Sequence, residues 1–249
     1  MSDALEDAAL ALFEARHTSR PITAFPASWV PQTLAESYRL QDAVMRHEGA
    51  AGGWKVLAGG EGEPMCSPIP KSRYHDNAAT LDQAGLMVFL SEVEVAVKLG
   101  RTLARKATPY TPEDAAAAIV SVHPALEMCA SSFAEAAEAP SLLKMGDLQS
   151  NAAVIVGAPL TPPTTLDFAS LPIELRYGGA AVAQTEQGAS WQEIVAAIAW
   201  LANHAISRGL ALNAGDVIIT GARLKYPATG PLAIEAELAG MAPVQVTLR

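Results

Sequence analysis

The chain has 249 residues, of which 50% are hydrophobic and 17% charged, and its formal net charge is −9 at pH 7. This composition excludes a disordered chain, and the acidic balance argues against a surface that binds nucleic acid or an anionic membrane. The two cysteines form no metal-binding or disulfide pattern, and no apolar run reaches the roughly 20 residues of a membrane span, so we expect a cytoplasmic protein with free thiols.

The first part of the chain is predicted to be helical. Apolar residues recur at helical spacing over residues 3–19, and this acidic start lacks the basic and apolar segments of a signal peptide. After a proline-containing connection, Thr33 is the predicted N-cap of a second helix, LAESYRLQDAVMRHEGA. The segment GWKVLAG, which contains Lys55, is a predicted strand. A loop is expected over residues 61–70, which are rich in glycine and proline.

Beyond residue 77 the pattern changes to strands that two helices interrupt. The predicted strands are LMVFLSEVEVAVKL, NAAVIVG, LPIELRYGGAAVAQ, DVIITGA and LAIEAELAGMAPVQVTL. The helix TPEDAAAAIV begins after Thr111 as N-cap, and SWQEIVAAIAWLANHAISRG begins with a capping box of Ser190 and Glu193. We therefore predict an α+β protein with a helical N-terminal lobe and first strand over residues 1–75, and a strand-rich body over residues 76–249.

The strand SEVEVAVKLG carries two acids where a simple amphipathic strand needs none. Glu92 and Glu94 are two residues apart, so their side chains point the same way. On an open face they would be solvated surface charges. Beside a cavity, two carboxylates about 5 Å apart would repel each other by roughly 3 kcal/mol at an effective dielectric near 20. A bound divalent cation would offset this repulsion, and carboxylate ligands suit Mg²⁺ or Mn²⁺.

A third acid in VSVHPALEMCA extends this set. Glu127 lies among apolar residues, where a lone acid is costly to bury without a partner. Pro124 keeps His123 extended, which favours a strand here. Pairing of Glu127 with a lysine, or a position at a strand end, would explain the residue without any metal.

Taken in order, these segments resemble the fumarylacetoacetate hydrolase superfamily, and within it the 2-keto-4-pentenoate hydratase-like branch. The similarity covers nearly the whole chain and is carried by SYRLQDAV, GGWKV, EVEVAVKL, HPALE, SNAAVIVG, IAWLANHAISRG, the TGA of GDVIITGA, and AELAGMAPVQVTL. The resemblance implies a mixed β-sheet roll or barrel with a small helical N-terminal lobe. It also implies a homo-oligomer, because family members assemble as dimers or higher states.

The resemblance further implies a metal site. In the family, two glutamates separated by one residue and a third further along the chain hold Mg²⁺ or Mn²⁺, and these positions fall on Glu92, Glu94 and Glu127. The ion would chelate the 2-oxo and carboxylate oxygens of a small-molecule 2-oxo acid and stabilise the enolate formed beside them.

Further residues match family positions near the substrate. Lys55 is implied as the catalytic lysine, which transfers a proton or contacts the substrate carboxylate, and burial would lower its pKa. A surface lysine at a strand end is an equally good interpretation of the same residue. Thr220 matches a threonine near the substrate carboxylate. Asn151 and Asp147 are expected to hydrogen-bond to the substrate or to order a loop.

The reaction is left open among several alternatives. Hydration of a 2-hydroxy-dienoate, a step typical of aromatic-compound catabolism, is expected first. Decarboxylation in the manner of 4-oxalocrotonate decarboxylase follows, with C–C bond hydrolysis on the same fold and a non-catalytic metabolite-binding relative after it. The segment 59–74 is shorter than the family loop that supplies an acid near the substrate, and Glu61 and Glu63 do not align with that acid.

Overall fold

The fold is known from a computed structural model that describes residues 3–162 and 165–249. Within these ranges the helices are α1 (Asp3–Thr18), α2 (Leu34–Glu48), α3 (Gln83–Leu86), α4 (Pro112–Ala116), α5 (Ser141–Gly146) and α6 (Trp191–Ser207). The strands are β1 (Ala51–Val56), β2 (Cys66–Pro70), β3 (Tyr74–Asp76), β4 (Ala79–Leu81), β5 (Val88–Leu99), β6 (Ile119–Ala130), β7 (Asn151–Val156), β8 (Ile173–Tyr177), β9 (Ala180–Thr185), β10 (Val217–Pro227), β11 (Leu232–Leu238) and β12 (Val244–Leu248). Met1 and Ser2 of the predicted lobe lie outside the described residues.

Two curled sheets form the body of the protein. A seven-stranded mixed sheet has the order β2-β1-β10-β5-β6-β7-β3, and a five-stranded sheet has the order β4-β12-β11-β8-β9. The long strands β5 and β6 form an antiparallel pair at the centre of the first sheet, and β10 flanks β5 on its other side. This arrangement confirms the predicted α+β class and the mixed-sheet roll.

The predicted helix starts are confirmed because the capping signals are local. Thr33 and Thr111 accept hydrogen bonds from backbone N–H groups of the first turns of α2 and α4. Ser190 and Glu193 form the capping box of α6. The first predicted helix of the body, TPEDAAAAIV, is shorter than expected, because α4 ends at Ala116 and the β-branched residues from Ile119 onward enter β6.

The predicted loop over residues 61–70 is wrong in its second half, where Cys66–Pro70 forms β2. This strand lies at the edge of the seven-stranded sheet and pairs there only with β1. At an edge, the backbone nitrogens of Pro68 and Pro70 can face away from β1, where no hydrogen bond to a neighbouring strand is needed. The lack of an N–H at proline therefore does not prevent the strand.

The N-terminal helices pack against the body through a shared hydrophobic cluster. Leu12 of α1 and Leu40 of α2 are buried with Phe133, Leu143 and Leu148, which come from the segment between β6 and β7. Strands β1 and β2, which fall within the lobe predicted over residues 1–75, belong to the seven-stranded sheet. No helix in the described part of the chain is both long enough and apolar enough to cross a membrane.

A small apolar cluster divides the face of the seven-stranded sheet that carries Ala96 of β5. Its five buried members, one from each of five strands, are Ile69, Ala96, Ala125, Val154 and Ile219. Alternate residues of β5 share this face, so Glu92 and Glu94 lie on one side of the cluster and Lys98 on the other. A cavity opens on each side, one lined by the glutamates and the other by Lys98 and His123.

Candidate metal and substrate site

Strand register brings the predicted acids together. Glu92 of β5 is directly opposite Glu127 of β6 in the antiparallel pair. On its other side β5 pairs with β10, which places Glu94 opposite Ala222. Lys55 reaches the same place from β1, the neighbour of β10. The four predicted residues therefore meet from three strands that are far apart in the chain.

Both glutamates of β5 are buried, which excludes the interpretation as solvated surface charges. The exposed fraction is 7% for Glu92, 1% for Glu94 and 0% for Glu127. The valines of the alternate positions, with Leu99, lie in the main core. Glu92 and Glu94 border a cavity of about 300 Å³ that is lined by Lys55, Val56, Leu57, Met65, Phe89, Leu90, Glu92, Glu94, Cys129, Gln149, Ser150, Gly221, Ala222 and Lys225.

Glu127 is paired with Lys55 at the base of the site. The Lys55 Nζ donates to Oε1 at 2.7 Å and to Oε2 at 2.8 Å. Asn151 Nδ2 also donates to Oε1 at 2.9 Å. The pairing of Glu127 with a lysine, which the sequence left open, is thus present. It accounts for one acid of the three, and no other buried cation among the described residues forms an ion pair with Glu92 or Glu94.

The remaining acids contact residues that the sequence did not single out. The backbone N–H of Gly221 donates to Glu94 Oε2 at 2.6 Å. Glu92 Oε1 lies 3.1 Å from the Nζ of Lys225, a side chain that is 64% exposed at the rim. The sequence did not point to Gly221, because a backbone N–H leaves no signature in the residue type, while its neighbour Thr220 stays a predicted substrate residue.

A strained turn lies beside Lys55. Leu148, Gln149 and Ser150 have φ angles of 47°, 51° and 62°, a left-handed run that costs roughly 1–2 kcal/mol per residue for side chains of this kind. The carbonyl oxygen of Gln149 accepts a hydrogen bond from Lys55 Nζ at 3.3 Å. Strain of this kind concentrates at functional sites, where the surrounding structure holds it.

The electrostatics of the site follow from burial of like charges. Burial raises the pKa of Glu94 well above its usual value, and the neighbouring carboxylates of Glu127 and Glu92 add to this shift. Burial also raises the pKa of Glu127, while Lys55 opposes that shift. The excess of negative charge makes the fully ionised site costly without a further cation.

The expected lowering of the Lys55 pKa is wrong. Burial acts in that direction, but the carboxylates, Glu127 foremost, outweigh it and raise the pKa of Lys55. Lys55 is therefore held as an ammonium cation in the metal-free site. A divalent ion among the same carboxylates would repel the ammonium and lower its pKa again.

The other predicted substrate residues are engaged elsewhere or adjoin the site. Asp147 accepts hydrogen bonds from Arg16 and Ser132, each at 2.9 Å, and does not line the cavity. Thr220 is buried and its Oγ1 donates to the carbonyl of Val95 at 2.7 Å. Asn151 is at the site through its hydrogen bond to Glu127.

The donor set fits a divalent cation. Carboxylate oxygens of Glu92 and Glu127 lie within 4.8 Å of each other and of the Cys129 sulfur. Glu127 Oε1 accepts two hydrogen bonds and Oε2 one, so Oε2 keeps a lone pair. The second oxygen of Glu94 accepts no hydrogen bond from any described residue. Oxygen donors of this kind, on an excess of negative charge, are those that hard divalent ions bind.

Comparison with known proteins agrees with this fold. The family model for the fumarylacetoacetate (FAA) hydrolase C-terminal domain matches residues 72–247. The solved structure of 4-oxalocrotonate decarboxylase from Pseudomonas putida G7 with calcium and acetate has a TM-score of 0.85 and 19% identity, over 100% of this chain and 98% of that one. The same enzyme with magnesium and adipate has a TM-score of 0.84 and 20% identity, over 98% and 97% of the two chains.

A more distant similarity is to a putative fumarylpyruvate hydrolase from Burkholderia cenocepacia. Its TM-score is 0.60 at 18% identity, over 78% of this chain and 86% of that one. A search of curated protein sequences gives no match. At these sequence identities the structural similarity establishes the fold alone. The similarity to the decarboxylase covers the full length of this chain.

Proposed function

The chain belongs to the fumarylacetoacetate hydrolase family, and from this premise we propose that it is a divalent-metal-dependent enzyme acting on a 2-oxo acid. The observation that carries the proposal is the convergence of the buried Glu92, Glu94 and Glu127 around one lysine, Lys55, whose side chain is 14% exposed. Buried charges of one sign are costly unless a counter-ion compensates them. The structures of 4-oxalocrotonate decarboxylase with calcium or magnesium support a metal-binding role for the same fold.

Glu92, Glu94 and Glu127 would hold the metal ion. Their donors are oxygen atoms, which favours Mg²⁺ or Mn²⁺. When bound, such an ion supplies Lewis-acid stabilisation of the negative charge that develops on the 2-oxo group and carboxylate of the substrate. The Gly221 N–H and the Asn151 amide fix Glu94 and Glu127 from behind, as outer hydrogen bonds do at metal centres.

Lys55 would orient the acidic end of the substrate. Its ammonium lines the cavity and is fixed by Glu127 and by the carbonyl of Gln149. A cation so placed attracts a substrate carboxylate, and its proton can be given to the substrate carbon once negative charge has developed there. Val56 and Leu90 form apolar walls of the cavity, which would limit the water around the reacting atoms.

Decarboxylation is the reaction that the cavity favours. The bond from the substrate carbon to its carboxyl group breaks, carbon dioxide leaves, and the electron pair passes to the conjugated 2-oxo group before a proton is added to carbon. This sequence needs no group that activates water. Among the described residues, no acid of the segment 59–74 lines the cavity, and Glu63 instead accepts a hydrogen bond from Trp200 at 3.1 Å.

Hydration of a 2-hydroxy-dienoate is the second candidate. It needs a group that takes a proton from the attacking water. Glu94 lines the cavity and has one oxygen that no described hydrogen bond occupies, so it would serve as that base instead of as a full metal ligand. This reaction is the one expected first from the sequence, and it stays a prediction.

The test of the metal site is calorimetric binding of Mg²⁺ and Mn²⁺, with and without oxalate, which mimics the two chelating oxygens of a 2-oxo acid. We expect oxalate to bind only with the metal, and both to be lost in Glu94→Ala. Glu186→Gln, at an exposed position, is the control that should bind like the intact protein. Absence of metal binding to the intact protein would overturn the proposal.

The two reactions are then separated by their products. The metal-loaded protein is given a 2-oxo-enedioate of the 4-oxalocrotonate type and, separately, a 2-hydroxy-dienoate with one carboxylate. Release of carbon dioxide from the first supports decarboxylation. Loss of the dienoate absorbance without carbon dioxide from the second supports hydration.

A further inference from the structure

Cys129 lines the same cavity, and neither the proposed ligand set nor the proposed reaction uses it. It lies two residues after Glu127 on β6, and it is 4% exposed. Its sulfur and the carboxylate oxygens of Glu92 and Glu127 all lie within 4.8 Å of one another. The other thiol, Cys66, is buried outside this cavity, with its sulfur 4.0 Å from the Arg208 guanidinium.

We propose that Cys129, together with Glu92 and Glu127, binds thiophilic divalent cations such as Zn²⁺, Cd²⁺ and Co²⁺ at this centre. The inference rests on the proposed function, since it concerns the same metal site. Mg²⁺ and Mn²⁺ would use the carboxylates alone, because hard ions do not favour a thiolate. The site would then be a mixed oxygen and sulfur centre for one class of ion and an oxygen centre for the other.

The local geometry allows this coordination. Around one tetrahedral zinc ion, sulfur and oxygen ligands at their usual bond lengths lie about 3.5 Å apart. The 4.8 Å limit on the separations in the metal-free site therefore leaves at most a small side-chain movement. The pairing of β6 with β7 shifts register between Met128 and Cys129, and a bulge of this kind re-aims a side chain.

A second feature beside Cys129 points to a ligand. Asn151 of β7 is its partner across the strands. Asn151 is fully buried, and its Oδ1 has no hydrogen-bond partner among the described residues, while its Nδ2 fixes Glu127. A buried carbonyl oxygen without a donor is costly, and a water molecule on a bound ion would satisfy it.

Binding of a thiophilic ion changes the thiol chemically. The bond from sulfur to metal forms as the S–H bond breaks, and the proton is released to the solvent, one for each ion bound. For a given set of ligands, zinc and cobalt bind more tightly than manganese. Such ions should therefore displace Mn²⁺ from the intact protein, and removal of the sulfur should reduce this advantage.

The experiment is an ultraviolet titration of the metal-free full chain with Cd²⁺, which shows a charge-transfer band when a thiolate is bound. We expect a band that saturates at one ion per chain in the intact protein and is absent in Cys129→Ser, with Cd²⁺ affinity reduced by about tenfold or more. Mn²⁺ affinity, measured by calorimetry, should change far less, which also shows that the variant is folded. Cys66→Ser is the matched control and should keep the band.

Two results would overturn the inference while leaving the proposed function intact. In the first, Mn²⁺ binds to the intact protein but Cd²⁺ produces no charge-transfer band. In the second, the band persists in Cys129→Ser and is lost in Cys66→Ser. Failure of the intact protein to bind any of these ions would instead overturn the proposed function itself.

Discussion

The ammonium group of Lys55 neutralises Glu127 across two strands, with Glu127 fully buried. In Lys55→Met this carboxylate would keep its burial and lose its cation. Breaking a buried pair from one side costs about 3–5 kcal/mol, so we expect a loss of this size in the free energy of unfolding of the metal-free protein. Urea denaturation near neutral pH measures it.

The double variant Lys55→Met/Glu127→Gln is the control for this prediction. Glutamine keeps the shape of the side chain without its charge, so the double variant should regain most of the stability lost in Lys55→Met. If the losses in the free energy of unfolding of Lys55→Met and Glu127→Gln simply added in the double variant, this would contradict a direct interaction between the residues.

Glu94→Gln should stabilise the metal-free protein and weaken metal binding. The carbonyl of the introduced glutamine side chain would still accept the hydrogen bond from the Gly221 N–H, while the repulsion among the three acids falls. We expect a higher melting temperature than that of the intact protein in the presence of a chelator, and a lower one in the presence of saturating Mn²⁺. Glu186→Gln should shift neither temperature. A melting temperature of Glu94→Gln below that of the intact protein in chelator would refute the prediction.

At the residue scale, the sequence identifies the groups whose chemistry lies in their side chains. Glu92, Glu94, Glu127 and Lys55 were singled out as charges in apolar segments, which are unusual, but their roles came from the family resemblance, because the residues alone also fitted surface charges or a simple ion pair. The N–H of Gly221 is not recognisable, because every residue except proline has one and only the fold decides which of them faces a carboxylate. The direction of the Lys55 pKa shift was missed because it depends on four neighbours from other strands, Glu127 foremost.

Among the elements, β10 carries Gly221, whose backbone N–H donates the hydrogen bond to Glu94. Gly221 has φ +107°, and a Cβ there would lie 3.0 Å from Leu57 Cδ1. Gly221→Ala should therefore lose about 1–3 kcal/mol of stability through backbone strain. It should also weaken metal binding, since the N–H that fixes Glu94 would move.

A matched control separates strain from the effect on the site. Gly230 also has a positive φ, +76°, and a Cβ there would meet nothing within 4 Å. Gly230→Ala should lose stability by a comparable amount and bind Mn²⁺ like the intact protein in calorimetry. Equal weakening of metal binding by the two variants would show that the Gly221 contact is not specific.

The elements show where sequence patterns suffice and where they fail. The N-caps of α2, α4 and α6 were predicted because capping is decided within a single turn. Strand β2 was missed because its prolines are tolerated only at a sheet edge, and sheet order is set by contacts far apart in the chain. The order β2-β1-β10-β5-β6-β7-β3 itself could be anticipated only through family resemblance.

For the whole molecule, the charge of the site predicts how stability depends on pH. The folded-state pKa values of Glu94 and Glu127 are raised above the ordinary 4.5, so their contribution is fully present below that pH and is lost as the pH rises through the folded values. The raised pKa of Lys55 acts in the same direction at alkaline pH. The metal-free protein should therefore lose stability from the two glutamates as the pH rises above 4.5 and through their raised folded-state pKa values.

Comparison of Glu94→Gln with the intact protein isolates this effect from other titrating groups. The difference in melting temperature between the two should grow as the pH rises over this range in the presence of a chelator. Saturating Mn²⁺ should abolish this increase in the melting-temperature difference with pH, because the ion compensates the ionised carboxylates. A difference that stays constant with pH would show that Glu94 does not titrate as the buried charges require.

The apolar cluster on the face that carries the acids lies between the cavity at the carboxylates and the cavity at Lys98 and His123. Leu57, Met65 and Phe89 line the cavity at the carboxylates and are 44%, 43% and 39% exposed, so they form its doorway. An elongated molecule would enter with its acidic head first, and its tail would remain among these three side chains. In the proposed function, selection would therefore be strict for the head group and permissive for tail length, because the tail would lie among side chains that are already exposed to solvent.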